Sequence, residues 1–114
     1  MTLDYLYTTV QSNLLEIPIY YFIYRRRGLS FARVALITTL ANGVSHPWVF
    51  FGFMGVGISY FSSVLMAESF AVLSEGAMHG WSARLPLRTT LRASLLANLF
   101  SWQVAPAISY ALFF

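Results

Sequence analysis

The chain has 114 residues, of which 58% are hydrophobic and only 10% charged, with no cysteine and a net charge of +3; its mean hydropathy is +0.65. That balance excludes an ordinary soluble domain, whose small core could not hide so much apolar surface, and the lack of cysteine excludes a disulfide framework or a thiolate metal site. The basic residues are all arginine and carry neither aromatic interleaving nor a nucleic-acid motif, so the expected partner is a lipid bilayer and not a nucleic acid.

The first apolar run, residues 5–24, stops at Arg25-Arg26-Arg27 and suits one crossing of a hydrocarbon core of roughly 30 Å. No Arg or Lys precedes it and no small-residue cleavage site follows, so it reads as a retained span and not as a signal peptide. From Val34 to Ala67 no charged residue appears. A single helix of that length would be about 50 Å long, so the chain must fold back. The glycines of "GFMGVG", residues 52–57, offer the break, giving a second span at 31–53 and a third at 58–79. "GWSARLPLR", residues 80–88, makes the next turn, and a fourth span covers 87–113. The expected fold is all-α, a four-transmembrane-helix bundle forming one integral membrane domain over residues 1–114.

Arg25, Arg26 and Arg27, with Arg33 behind them, and Arg84 and Arg88, with Arg92 behind them, then lie on one side. The positive-inside bias puts both loops in the cytoplasm of a bacterial inner membrane and both termini on the outer, periplasmic side. Arg25, Arg26, Arg27, Arg84 and Arg88 are expected to anchor the protein at the membrane surface. "NLLEIP", "NGVSHP" and "NLFS" form a weak internal echo, each marking a polar stripe, the first two with a proline close by.

Counted from the helix starts at about 1.5 Å per residue, Glu16, Asn42, Glu68 and Asn98 fall near the bilayer midplane. Asn13, His46 and Ser101 lie nearer the outer face, Glu75 nearer the cytoplasmic end, and His79 at the interface. Glu68, Glu75 and His79 share one helical face to within roughly 40°. Buried carboxylates at such depth need partners, protons or a cation, which makes Glu16 and Glu68 the expected centre of function. Asn42, Asn98, Ser94 and Ser101 have a plainer reading as interhelical hydrogen-bonding groups, and Glu75 has one as a partner of Arg84 or Arg88.

Proton-linked chemistry fits this set best. Glu16 and Glu68 at one depth could exchange a proton for a cation, with His46 and Glu75 carrying the proton outward and inward and Asn13, Asn42 and Asn98 completing the cluster. A metal held by Glu16, His46 and Glu68 is chemically possible, but none of the specific ligand spacings occurs. Catalysis has weaker support: no nucleophile triad or phosphate loop is present, and Glu75 with His79 beside the arginines offers only an interfacial site for a lipid phosphate. The alternative to transport is a non-catalytic subunit of a larger membrane complex, buttressing helices or contacting pigments or quinones; no cofactor is specified. Four short helices enclose little volume, which favours a homo-oligomer or association with other membrane subunits.

Glu68 and Glu75 bracketing "SFAVLS", then "SLLANLFS" from Ser94 to Ser101, with Asn42 and Pro47 in the second span, resemble a loose group of short, uncharacterised four-span bacterial membrane proteins. That resemblance implies membrane topology and no assigned activity. The small multidrug-resistance transporters are similar in length, in having four spans and in a first-span glutamate that Glu16 would match, but in no other motif.

Overall fold

The structure is a computed structural model and describes residues 2–52 and 59–113. Four α-helices form it, α1 (Thr2–Tyr24), α2 (Phe31–Pro47), α3 (Tyr60–Ala83) and α4 (Leu87–Phe113), and no strand occurs among the described residues. The turn expected within "GFMGVG" lies, beyond Gly52, outside the described residues. Each helix packs against its two neighbours in the order α1, α2, α3, α4 and back to α1, an up-and-down ring measuring 40 × 29 × 21 Å.

Local sequence explains the helix ends. The arginine triplet tightens into a 3₁₀ turn closed by Gly28 at φ 85°, a left-handed position that glycine takes without a Cβ clash. Ser30 then caps α2, its hydroxyl accepting from the backbone N–H of Arg33 at 3.2 Å. Pro47 ends the regular part of α2, and the chain widens into a π turn over Trp48–Gly52. Ser59 caps α3 in the same way as Ser30 caps α2, accepting from Ser62 at 3.2 Å. The α3 helix continues past the expected end at residue 79 as far as Ala83, then stops at Arg84 in the left-handed conformation. Pro86 follows, and its carbonyl accepts from Thr89 and Thr90 in the first turn of α4. The two arginine-bearing turns lie at one end of the bundle, where Arg27 Nη2 donates to Thr89 Oγ1 at 3.4 Å.

Polarity is distributed inside out. Nearly half of the buried described residues are polar or charged, among them Glu16, Glu75, His79, Asn42 and Asn98, and the buried apolar ones are mostly small or tyrosine. The large apolar side chains face outward, as with Leu3, Leu14, Leu36, Leu40, Phe61, Leu73 and Leu112. No helix among the described residues is long and apolar enough to cross a membrane. The four spans expected from the sequence do not reach that mark, because every helix carries polar side chains at regular intervals and α2 is regular for only 17 residues.

Helices α3 and α4 approach one another through glycine. A Cβ built on Gly76 would stand 2.6 Å from Leu91 Cδ2 and 3.1 Å from Leu91 Cα, and one on Gly80 would stand 3.1 Å from Thr90 Oγ1. Gly76 and Gly80 are one turn apart on the same face, so two helices that meet through backbone can bring their polar side chains to a common centre.

Candidate functional site

Two diagonal helices deliver carboxyl groups to the bundle axis. Glu16 of α1 and Glu75 of α3 are each 3% exposed, and their carboxyl groups lie near enough to interact directly. Two ionised carboxylates offer only acceptors to one another, so a direct bond between them would need a proton on one. Glu75 is surrounded by donors from every other helix. Its Oε2 accepts from Ser45 Oγ at 3.0 Å, and its Oε1 accepts from Tyr20 Oη and Asn98 Nδ2, each at 3.4 Å. Glu16 Oε2 accepts from Ser101 Oγ at 3.0 Å, while its Oε1 is buried without a donor. Asn98 is aimed by its own helix, where Nδ2 also donates to the carbonyl of Ser94 at 2.8 Å.

A line of protonatable groups leaves this pair toward the arginine end. The ring of Tyr20 stacks on His79 with centroids 4.0 Å apart and planes 19° from parallel. His79 Nδ1 lies 3.2 Å from Tyr24 Oη, and His79 Nε2 is buried without a hydrogen-bond partner. Tyr20, Tyr24 and His79 are all fully buried. The spacing of Glu16, Tyr20 and Tyr24 on α1, and of Glu75 and His79 on α3, is one turn each, so both helices turn the same polar stripe to the axis.

The structure revises the expected centre. Glu75, not Glu68, meets Glu16, and the Glu75 carboxyl is held by Tyr20, Ser45 and Asn98 and not by Arg84 or Arg88. The physical reason is helix register. Glu16 and Glu75 are each eight residues before the last residue of their helices, Tyr24 and Ala83, and the short arginine-side turns hold those ends level. His79, expected at the interface, is inside. Glu68 is half-buried and lies toward the groove between α3 and α4. His46 is half-buried near the other end of α2, with its ring centroid 6.4 Å from that of Tyr5 and Nδ1 unpartnered. Among the described residues no three His, Asp or Glu side chains gather where they could hold a metal ion, so Glu16, His46 and Glu68 are not brought together. Arg25, Arg26, Arg27, Arg84 and Arg88 are all exposed, with Arg25 Cζ 4.6 Å from the Phe22 ring centroid.

Asn13 and Asn42 form a separate bridge between α1 and α2. Asn42 Nδ2 donates to Asn13 Oδ1 and Asn13 Nδ2 donates to Thr39 Oγ1, both at 2.9 Å. A double-mutant cycle of Asn13→Ala and Asn42→Ala is expected to give a coupling energy of about 0.6 to 1.5 kcal/mol, the range of interhelical hydrogen bonds in apolar surroundings. Strictly additive losses would show that the two amides act separately.

Compared with known protein families, with curated proteins and with solved structures, the chain shows no match. What the site can do therefore rests on its own residues: two neighbouring buried carboxyls, four neutral side chains bonded to them (Tyr20, Ser45, Asn98 and Ser101), and Tyr24 and His79 leading away.

Proposed function

We propose that the chain is a small membrane-embedded helical bundle that takes up and releases protons, or a monovalent cation in their place, at the Glu16–Glu75 pair, and that it serves proton- or cation-linked transport. The observation that carries this reading is the burial of two carboxyl groups, on diagonal helices, close enough to interact near the bundle axis. Such an arrangement is costly as a structural device, because an ionised carboxylate in apolar surroundings needs compensation that an Asn or Gln would not.

Support for the membrane setting comes from orientation. The side chains that lower the average hydropathy of each helix are turned inward, while leucine, phenylalanine and valine cover the outside, the reverse of a bundle whose solvent is water. The exposed arginines cluster at one end, where a headgroup layer would receive them. Sedimentation of the tagged protein with membranes after alkaline carbonate washing tests the setting, and recovery in the wash supernatant overturns it.

The transport reading is tested in liposomes carrying an internal pH dye. The wild-type protein is expected to collapse an imposed pH gradient faster than protein-free liposomes, and Glu16→Gln and Glu75→Gln are each expected to return the rate to the protein-free baseline. Wild-type flux that persists in both variants would overturn the assignment of the pair. The outward stripe Leu36, Leu40 and Val44 on α2 favours a second reading, a subunit seated against helices of a larger complex. A stoichiometric membrane partner retained on mild detergent extraction would decide for it.

A further inference from the structure

A groove of about 360 Å³ lies between α1 and α4. Ile19, Phe22 and Ile23 of α1 and Leu96 and Phe100 of α4 line it, all of them apolar. On each helix these residues span one turn, about 6 Å along the axis. Arginines stand where this seam runs toward the two basic turns. Arg25 Cζ lies 4.6 Å from the centroid of the Phe22 ring, so one wall of the groove already carries a guanidinium. Arg92 is one turn before Leu96 on α4 and heads the same helical stripe. Thr89, two turns before Leu96, belongs to that stripe too. Its hydroxyl accepts from Arg27 Nη2 at 3.4 Å, which ties the end of α1 to the start of α4 across the seam. Among the described residues no carboxyl group answers these charges at this end. Glu16 and Glu75 are buried at the axis, Glu68 lines the separate α3–α4 groove, and Asp4 is in the first turn of α1, at the opposite end of that helix.

From this geometry we infer that the α1–α4 seam holds one anionic phospholipid, with its phosphodiester between Arg25 and Arg92 and the upper part of one acyl chain along Phe22, Leu96 and Phe100. Guanidinium forks match the paired oxygens of a phosphodiester and stay charged at any working pH. The Thr89 hydroxyl, an acceptor for Arg27, keeps its own proton to donate to a phosphate oxygen. Charge alone would suit an acidic protein segment as well, but that partner would leave the hydrocarbon-lined groove beside the arginines without a complement. A zwitterionic headgroup brings an ammonium that offsets its phosphate, so arginines with no carboxylate near them select a lipid of net negative charge.

The lipid site rests on the membrane setting proposed above and not on transport. A tryptophan reporter in the groove tests it on the full chain in phosphatidylcholine vesicles. Trp48, Trp81 and Trp102 are each changed to Phe, and Phe100→Trp, with Leu96→Trp as a second variant, supplies the reporter. Bromine on an acyl chain quenches tryptophan on contact, so a minor fraction of chain-brominated phosphatidylglycerol reports occupancy against the same fraction of chain-brominated phosphatidylcholine. The anionic lipid is expected to bind at the reporter at least ~5-fold better than the zwitterionic one, the gain that goes with a single arginine at a membrane surface. Arg25→Gln with Arg92→Gln is expected to bring that ratio to about one, while Arg33→Gln with Arg84→Gln, which removes the same charge from α2 and from the end of α3, leaves it within ~2-fold. A ratio lowered equally by the two double variants would mean a diffuse field and overturn the proposal. Equal quenching by the two lipids would also overturn it, leaving the arginines to an acidic protein partner while the membrane setting stands. A reporter that neither lipid quenches would remove the membrane setting and the lipid site together.

Discussion

Replacing Glu75 with alanine is expected to lower the unfolding free energy of the detergent-solubilised protein by about 3 to 5 kcal/mol. The carboxyl is the common acceptor for Tyr20 from α1, Ser45 from α2 and Asn98 from α4, so its removal strands the Tyr20 and Ser45 hydroxyls, while Asn98 keeps the Ser94 carbonyl. Each stranded donor costs about 1 to 3 kcal/mol, and the emptied side-chain volume adds to it, so the losses will not simply add. Against a total stability of about 5 to 15 kcal/mol, this is enough to leave the bundle barely folded. Glu75→Gln separates charge from hydrogen bonding. Its carbonyl keeps an acceptor for the surrounding donors, and its amide can donate to the Glu16 carboxylate, so stability within about 1 kcal/mol of the wild type is expected. Thermal unfolding followed by circular dichroism in one detergent checks both. An alanine variant as stable as the glutamine variant would mean that Glu75 is not the keystone acceptor that the distances make it.

The second large effect belongs to Gly76. Valine there would place its Cβ 3.1 Å from Leu91 Cα as well as against the Leu91 side chain. A side-chain tip can turn away, but a backbone atom moves only if the helix moves, so α3 and α4 must separate. We expect a loss of about 2 to 3 kcal/mol, the range of overpacked cores. Gly43 provides the contrast. A Cβ on it meets nothing within 4 Å, and Gly43→Ala in the interior of α2 should gain about 0.5 to 1 kcal/mol from helix propensity alone. Measured side by side, these two glycines distinguish a close helix contact from general intolerance of added methyl groups. Equal small effects at both positions would contradict the approach of α3 to α4.

Where helices end was written locally and could be read locally. The arginine triplet with Gly28 and the "LPLR" turn each act within a few residues, and the expected segments 5–24 and 87–113 differ from α1 and α4 by at most three residues at either end; α2, expected to run to residue 53, is regular only to Pro47. The continuation of α3 to Ala83 was less legible, because Gly80 and Trp81 read as the start of a turn. In the structure Gly80 stays helical, and Thr90 Oγ1 stands close to where its side chain would be. Four helices and a polar interior were visible in the same way, from the stripes of Glu, Asn and Ser.

Which polar groups meet depended on the register between helices, and that information is not in any one helix. Depths counted from the loosely defined outer ends put Glu16 level with Glu68. Counting back from the two arginine turns, the short and fixed connections, puts Glu16 level with Glu75. The glycine pair in "GAMHG" carried a further signal that periodicity of polar residues does not show: small residues four apart on one helix mark where a neighbour comes close.

The Tyr20–His79 stack also bears on what could travel along the bundle. Rings 4.0 Å apart are in van der Waals contact, and with Tyr24 beside them they plug the axis on the arginine side as a solid aromatic stopper. No hydrated ion fits between such faces, and a bare one would meet only π-clouds and a buried imidazole. A charge crossing there would have to go as a proton handed between hydroxyl and ring nitrogen. Its selectivity would then come from sealing the path against everything that has a radius, with the passage rate set by how often the histidine ring can turn.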